Sequence, residues 1–166
     1  NLKSQNTANQ TALKEATSNV TDAQNAKNAA TKNVTNKANS ILKSYSKNLT
    51  AAQKKALQEG KAVSTKGLSG KALSAVQAYN KLVTTASTKS QELTLALDAQ
   101  EEAANNAAQS AADLAQAMVE AEQEMFANVK NYYDSQLDYL DALNSKQQAL
   151  NDLRSAKRIE MNAHDY

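Results

Sequence analysis

The chain contains no proline, no cysteine and no tryptophan, and it has only three glycines and one phenylalanine in 166 residues. Each absence excludes something. Without cysteine there is no disulfide scaffold and no thiolate metal site. Without proline, the three glycines are the strongest helix breakers the chain has. No stretch approaches the ~18 consecutive apolar residues of a membrane-spanning helix. With so few aromatic residues, much of the 41% hydrophobic content is methyl groups, because 32 of the residues are alanine. Such a chain cannot fill a thick core, but its helices can approach one another closely. The start, NLKSQNTANQ, has none of the parts of a signal peptide and no initiator Met. That leads us to expect a processed or cut piece of something longer.

What remains is a helix-forming sequence punctuated at one place. All three glycines (Gly60, Gly67, Gly70) fall within GKAVSTKGLSG. Glycine costs a helix interior roughly 1 kcal/mol relative to alanine, so three together predict a turn or hinge over 60–70. The expected fold is all-α: long helices in a coiled coil or thin helical bundle, broken at a glycine-containing turn. The expected parts are a basic helical arm over 1–59, the turn or hinge, and an acidic long arm over 71–166 that frays at RIEMNAHDY. Gly60 is placed as a helix C-terminal glycine and Ser69 as the N-cap of the next helix. At ~1.5 Å per residue, residues 71–160 alone would run about 135 Å.

The overall charge of +2 conceals an asymmetry. Residues 1–90 carry fourteen lysines against Glu15, Asp22 and Glu59, a net +11, and residues 91–166 carry five bases against fourteen acids, a net −9. This split predicts that the first arm packs on the second, within or between chains. The basic half has no arginine and no cluster of aromatics, which base readout and strand stacking require; no specific nucleic-acid partner is therefore expected.

A seven-residue register runs Leu2, Asn6, Asn9, Leu13, Ala16, Val20, Ala23, Lys27, Ala30, Val34, Lys37, Ile41, apolar at eight of twelve positions. After Ile41 it slips to Tyr45, Leu49, Ala52 and Ala56, and such a slip alters local winding. The second arm offers Leu73, Val76, Tyr79, Val83, Ala86, Leu93 and Leu97, then Ala104, Ala107, Ala111, Leu114, Met118 and Ala121. The strongest periodic signal is Phe126, Val129, Tyr133, Leu137, Leu140, Leu143, Gln147, Leu150, Leu153, apolar at eight of nine positions. The residues expected to pack helix on helix are Leu13, Val20, Val34, Ile41, Leu114, Met118, Phe126, Val129, Tyr133, Leu137, Leu140, Leu143, Leu150 and Leu153.

Chemistry is hard to find. GLSGKA departs from the phosphate-loop pattern in its glycine spacing and in having Ala72 after the lysine; it reads as a capping turn. GLSG also matches a GxxG loop, but the fold that binds RNA with it needs strands, and none is visible. Asp134, Asp138 and Asp141 share a helical face without any further ligand, which reads as a solvated face. His164, the only histidine, has no partner in sequence. The Asn-x-Thr triplets at Asn19, Asn33 and Asn48 read as chance within an Asn/Thr-rich arm. No catalytic, cofactor-binding or metal residue is assigned, and no enzyme activity is expected.

Two stretches carry a resemblance: AAQKKALQEGKAVSTKGLSGKALSAVQAYNKLV, from Ala51 to Val83, and EMFANVKNYYDSQLDYLDALNSKQQALNDL, from Glu124 to Leu153. They resemble helical regions of tape measure proteins of long-tailed (siphovirus-type) bacteriophages, with Phe126, Val129, Tyr133 and Leu137 the best match. The likeness covers 63 of the 166 residues, and its motifs are degenerate helical patterns. It implies a virion protein, assembled in the bacterial cytoplasm, that fills the tail tube beside the tail tube protein and sets tail length. This chain is far shorter than a tail and lacks the apolar membrane segments common in that family, so it would be one segment of such a protein. The other reading from the residues is a helical targeting or stalk module of a secreted or surface bacterial protein, type VII effector-like or an adhesin. Either way the chain is expected to be mostly helical and to self-associate, as a trimer or other small bundle.

Overall fold

The structure, a computed structural model, describes residues 1–164, the side chain of His164 excepted. It is all-α: helix α1 (Leu2–Tyr45), a single 3-10 turn (Ser46–Asn48), helix α2 (Ala51–Gln58) and helix α3 (Gly70–His164). Among the described residues there is no strand. Two compact units divide the chain, residues 1–113 and 114–166.

In the first unit, α1 turns back along α3 as an antiparallel hairpin. Cross-helix hydrogen bonds fix the pairing: Asn9 Nδ2 donates to the carbonyl of Asn106, Gln10 Nε2 to that of Ala107, Gln100 Nε2 to Thr17 Oγ1, and Ser110 Oγ to Asn6 Oδ1, all at 3.2–3.4 Å. From Asn6 to Thr17 along α1 the partners run back along α3 from Ser110 to Gln100. The register read from sequence holds for α1. From Asn6 to Ile41, every one of its positions is buried or half-buried. Asn6 and Asn9, the polar residues placed on that seam, make two of the cross-helix bonds. A polar pair satisfied only in one alignment restricts register at some cost in stability.

Large side chains concentrate at one end of the hairpin. Val34, Ala38, Ile41, Leu49, Leu57, Val63, Val76 and Tyr79 form a single core, with Tyr79, Ile41 and Val76 its largest fully buried members. Towards the far end the seam thins to Ala16, Ala30, Leu93 and Ala107 with Ser110. The expected attraction between basic and acidic arms takes no direct form here. Among the described residues the ion pairs are Lys55–Glu59, Lys61–Glu59 and Lys89–Glu92, none of which joins α1 to α3.

Two expectations are corrected. The arm over 1–59 is not one helix: α1 ends at Tyr45, and Thr50 starts α2 with a capping box. Thr50 Oγ1 accepts from the Gln53 N–H at 3.1 Å, and Gln53 Oε1 accepts from the Thr50 N–H at 2.8 Å. The slip after Ile41 therefore marks a break, which lets Leu49 and Leu57 reach the core that a continuing helix would carry them past. In α3 the seam runs Leu93, Ala96, Gln100, Ala103, Ala107, Ser110. Two three-residue steps meet at Leu93 and move the inner face by one residue. Leu97 and Ala111 consequently lie exposed, Leu97 with 46% of its surface free.

Helix α3 is assigned as far as His164, and Asp165 and Tyr166, the end of the tail expected to fray, lie outside the described residues. Hydroxyls in the helices are satisfied locally. Those of Thr7, Thr11, Thr17, Thr21, Thr84, Thr85, Thr88 and Thr94 each donate to the carbonyl four residues back.

Ile41→Ala is expected to cost about 2–4 kcal/mol in chemical denaturation, the range for a fully buried aliphatic. Leu97→Ala should stay within about 0.5 kcal/mol. Equal losses at the two sites would overturn the assigned seam.

Candidate functional site: a clamped turn and an exposed packing face

The glycine segment is a fixed turn rather than a loose connection. Glu59 caps α2, and Gly60 follows at φ +71°. The Lys61 N–H donates to the Ala56 carbonyl at 2.9 Å and the Gly60 N–H to the Leu57 carbonyl at 3.3 Å, the paired bonds of a Schellman cap. Gly67 at φ +79° sits third in a turn closed by the Leu68 N–H on the Thr65 carbonyl, where a positive φ selects glycine. Gly70 at φ +58° leads into α3, with Ser69 in the N-cap position and its carbonyl accepting from the Leu73 N–H.

Three side chains bind the backbone of this turn. Gln53 Nε2, buried, donates to the carbonyls of Ser64 and Lys66 at 2.9 and 3.1 Å. Asn80 accepts from the Val63 N–H and donates to the Val63 carbonyl, both at 2.8 Å. The Tyr79 hydroxyl donates to the Lys61 carbonyl at 2.8 Å, and burial raises its pKa above the ordinary tyrosine value. Among the described residues no buried polar side-chain atom lacks a partner.

The predicted packing residues divide between the two units. Val34 and Ile41 lie in the core of the first unit, and Leu13 and Val20 are half-buried on its seam. In the second unit Leu114 is half-buried, and Met118 and Ala121 are exposed. Phe126, Val129, Tyr133, Leu137, Leu140, Leu143, Leu150 and Leu153 follow one another along α3 with 43–78% of their surfaces free. Phe126 and Val129, with Met125, outline a shallow apolar hollow. Tyr132 packs edge-on to Tyr133, ring centroids 5.8 Å apart. The second unit thus presents packing residues without the surface they would pack on.

Asp134, Asp138 and Asp141 are exposed, and among the described residues no group of three or more His, Cys, Asp or Glu is arranged to hold a metal ion. Among the described residues no helix is long and apolar enough to cross a membrane. Asn19 and Asn33 lie on α1, while Thr50, the threonine of the third triplet, is the α2 cap. Sequence reasoning missed the clamp made by Gln53, Tyr79 and Asn80. The TAAQ run at Thr50 is a capping-box signature that could have located the break; nothing local marks Tyr79 and Asn80.

Comparison of the chain with models of protein families, with curated proteins and with solved structures gave no match in any of the three.

Tyr79→Phe removes one hydrogen bond and leaves the Lys61 carbonyl short of a donor, an expected cost of about 1–2 kcal/mol. The sign of its pH effect follows from the raised pKa. Below about pH 10 the phenol is neutral in both folded and unfolded chains, and stability does not depend on it. Above that, the unfolded chain releases the proton first, so stability falls as pH rises through the folded pKa. Denaturation from pH 8 to 11 should show a steeper alkaline decline for the wild type than for Tyr79→Phe. Parallel curves would mean that Tyr79 is not shielded as described.

Proposed function

We propose that the chain is a structural segment that works by helix association, and that it belongs to a tape measure protein of a long-tailed phage. The observation that carries this is the exposed packing face from Phe126 to Leu153 on an uninterrupted helix. It coincides with the stretch that resembles those proteins, and a surface of that kind suits a rod assembled beside neighbours inside a tube. On this reading the partners are further copies of the chain and the tail tube protein, and the location is the virion tail after assembly in the host cytoplasm. On this reading the chain acts through its surfaces and performs no catalysis.

One feature favours a second reading. The first unit is a closed antiparallel hairpin, a form that suits a targeting or stalk module of a secreted or surface bacterial protein. A toxin or wall-anchoring segment later in the parent reading frame would support that reading, whereas neighbouring tail genes would support the first.

Tail length separates the two. In a ruler, duplicating residues 126–153, which are 28 residues or four heptads, should lengthen the tail by about 42 Å at 1.5 Å per residue. Removing two heptads from α1 should leave the length unchanged, because α1 runs back alongside α3. Electron microscopy of the parent phage reads both. Tails of normal length in the duplication would remove the ruler reading and leave the secreted module.

A further inference from the structure

The exposed face of the second unit has a symmetry that bears on what covers it. Its residues are arranged almost evenly about Leu140. Leu137 and Leu143 lie three residues to either side, Tyr133 and Gln147 seven, Val129 and Leu150 eleven and ten, Phe126 and Leu153 fourteen and thirteen. The charges beside the face are arranged oppositely. Residues 114–141 carry six acids and one lysine, whereas residues 142–164 carry four bases and two acids. Two pairs of opposite charge stand at equal heights about the same centre, Asp134 and Lys146 six residues from Leu140 and Glu122 and Arg158 eighteen, against one like pair, Glu120 and Glu160, at twenty.

We propose that this face is covered by a second copy of the same face running in the opposite direction, with Leu140 of each chain at the two-fold axis. Reversal places Leu137 beside Leu143, Val129 beside Leu150 and Phe126 beside Leu153. It sets the one polar member of the stripe, Gln147, at the height of Tyr133, where an amide can bond a hydroxyl. It also brings the acidic stretch of each chain beside the basic stretch of the other. Parallel alignment in register would set the acidic stretches together and the basic stretches together, and like charges held close oppose association. Apolar matching supplies the attraction, and charge chooses the direction, as the flanking charges do in paired helices generally. A two-fold pair is favoured over a trimer, in which three helices cannot all oppose one another.

The inference rests on the exposed face and not on the ruler reading. An antiparallel pair has no net direction, so a chain entering a tail tube would have to exchange it for neighbours that run the same way.

The absence of native cysteine makes the test direct. Full-length Tyr133→Cys and Gln147→Cys, both on the stripe at equal heights about Leu140, are prepared separately, treated with a short bis-maleimide alone or mixed one to one, and resolved by mass. Opposed pairing gives a cross-linked product mainly in the mixture, several-fold above either variant alone. Parallel pairing gives cross-linking within each variant alone and overturns the proposal. Sedimentation of the cysteine-free chain supplies the second readout. A concentration-dependent dimer is expected, weakened at least tenfold by Leu140→Asp with helical content retained. A monomer at every concentration, or a dimer indifferent to Leu140→Asp, also overturns it. Tail length is unaffected by any of these results, so failure here and failure of the ruler are told apart.

Discussion

The first unit depends on satisfying the backbone of one turn. Between α2 and α3 the chain must reverse with few large apolar residues to bury, and its peptide groups need partners wherever water is shut out. Gln53 from α2 and Tyr79 and Asn80 from α3 provide them, all within the core end of the hairpin. Glycine at Gly60, Gly67 and Gly70 supplies the left-handed backbone that the reversal needs. Once the turn is held, α1 has one place to lie, and the weak alanine and asparagine seam beyond it has only to choose a register.

The all-α class and the inward register of α1 were legible because both are periodic. Alanine, lysine and glutamine favour helix locally, and Leu13, Val20, Val34 and Ile41 recur at multiples of seven residues. Gly60 was legible for a different reason: a glycine after a lysine-rich helix end has few other uses. The break at 46–50 was harder to see, since Ser46, Lys47 and Asn48 are each tolerated in a helix and only the Thr50–Gln53 pairing distinguishes it. The shift of the α3 seam at Leu93 was hidden because Ala96 and Leu97 are both apolar, and which one turns inward depends on the winding of two helices together. The Tyr79 and Asn80 contacts were not legible, because they join residues 17 and 18 positions apart through geometry that a linear pattern does not contain.

The two units differ in how fully they use their own surface. The first covers most of its large side chains, Leu2, Leu95 and Leu97 excepted, and its ion pairs are local and exposed, where such pairs contribute little. The second carries a comparable number of large apolar residues and covers few of them. A helix whose long apolar stripe stays open is an unfinished structure in the energetic sense: hydration of that stripe favours any arrangement that removes it from water. That is why the functional argument rests on association rather than on a pocket.

The uneven distribution of core residues along the hairpin also has a kinetic meaning. Near the turn, separating the helices exposes Ile41, Val76 and Tyr79 together; near the N-terminus it exposes methyl groups and trades a few side-chain amide bonds for bonds to water. Opening of the first unit is therefore easiest at the end of the seam away from the turn and grows harder toward the turn. The first thirty or so residues form a region that can peel away and reseal while the clamped end stays intact. Any partner or protease that needs a single strand of this hairpin would find it there first.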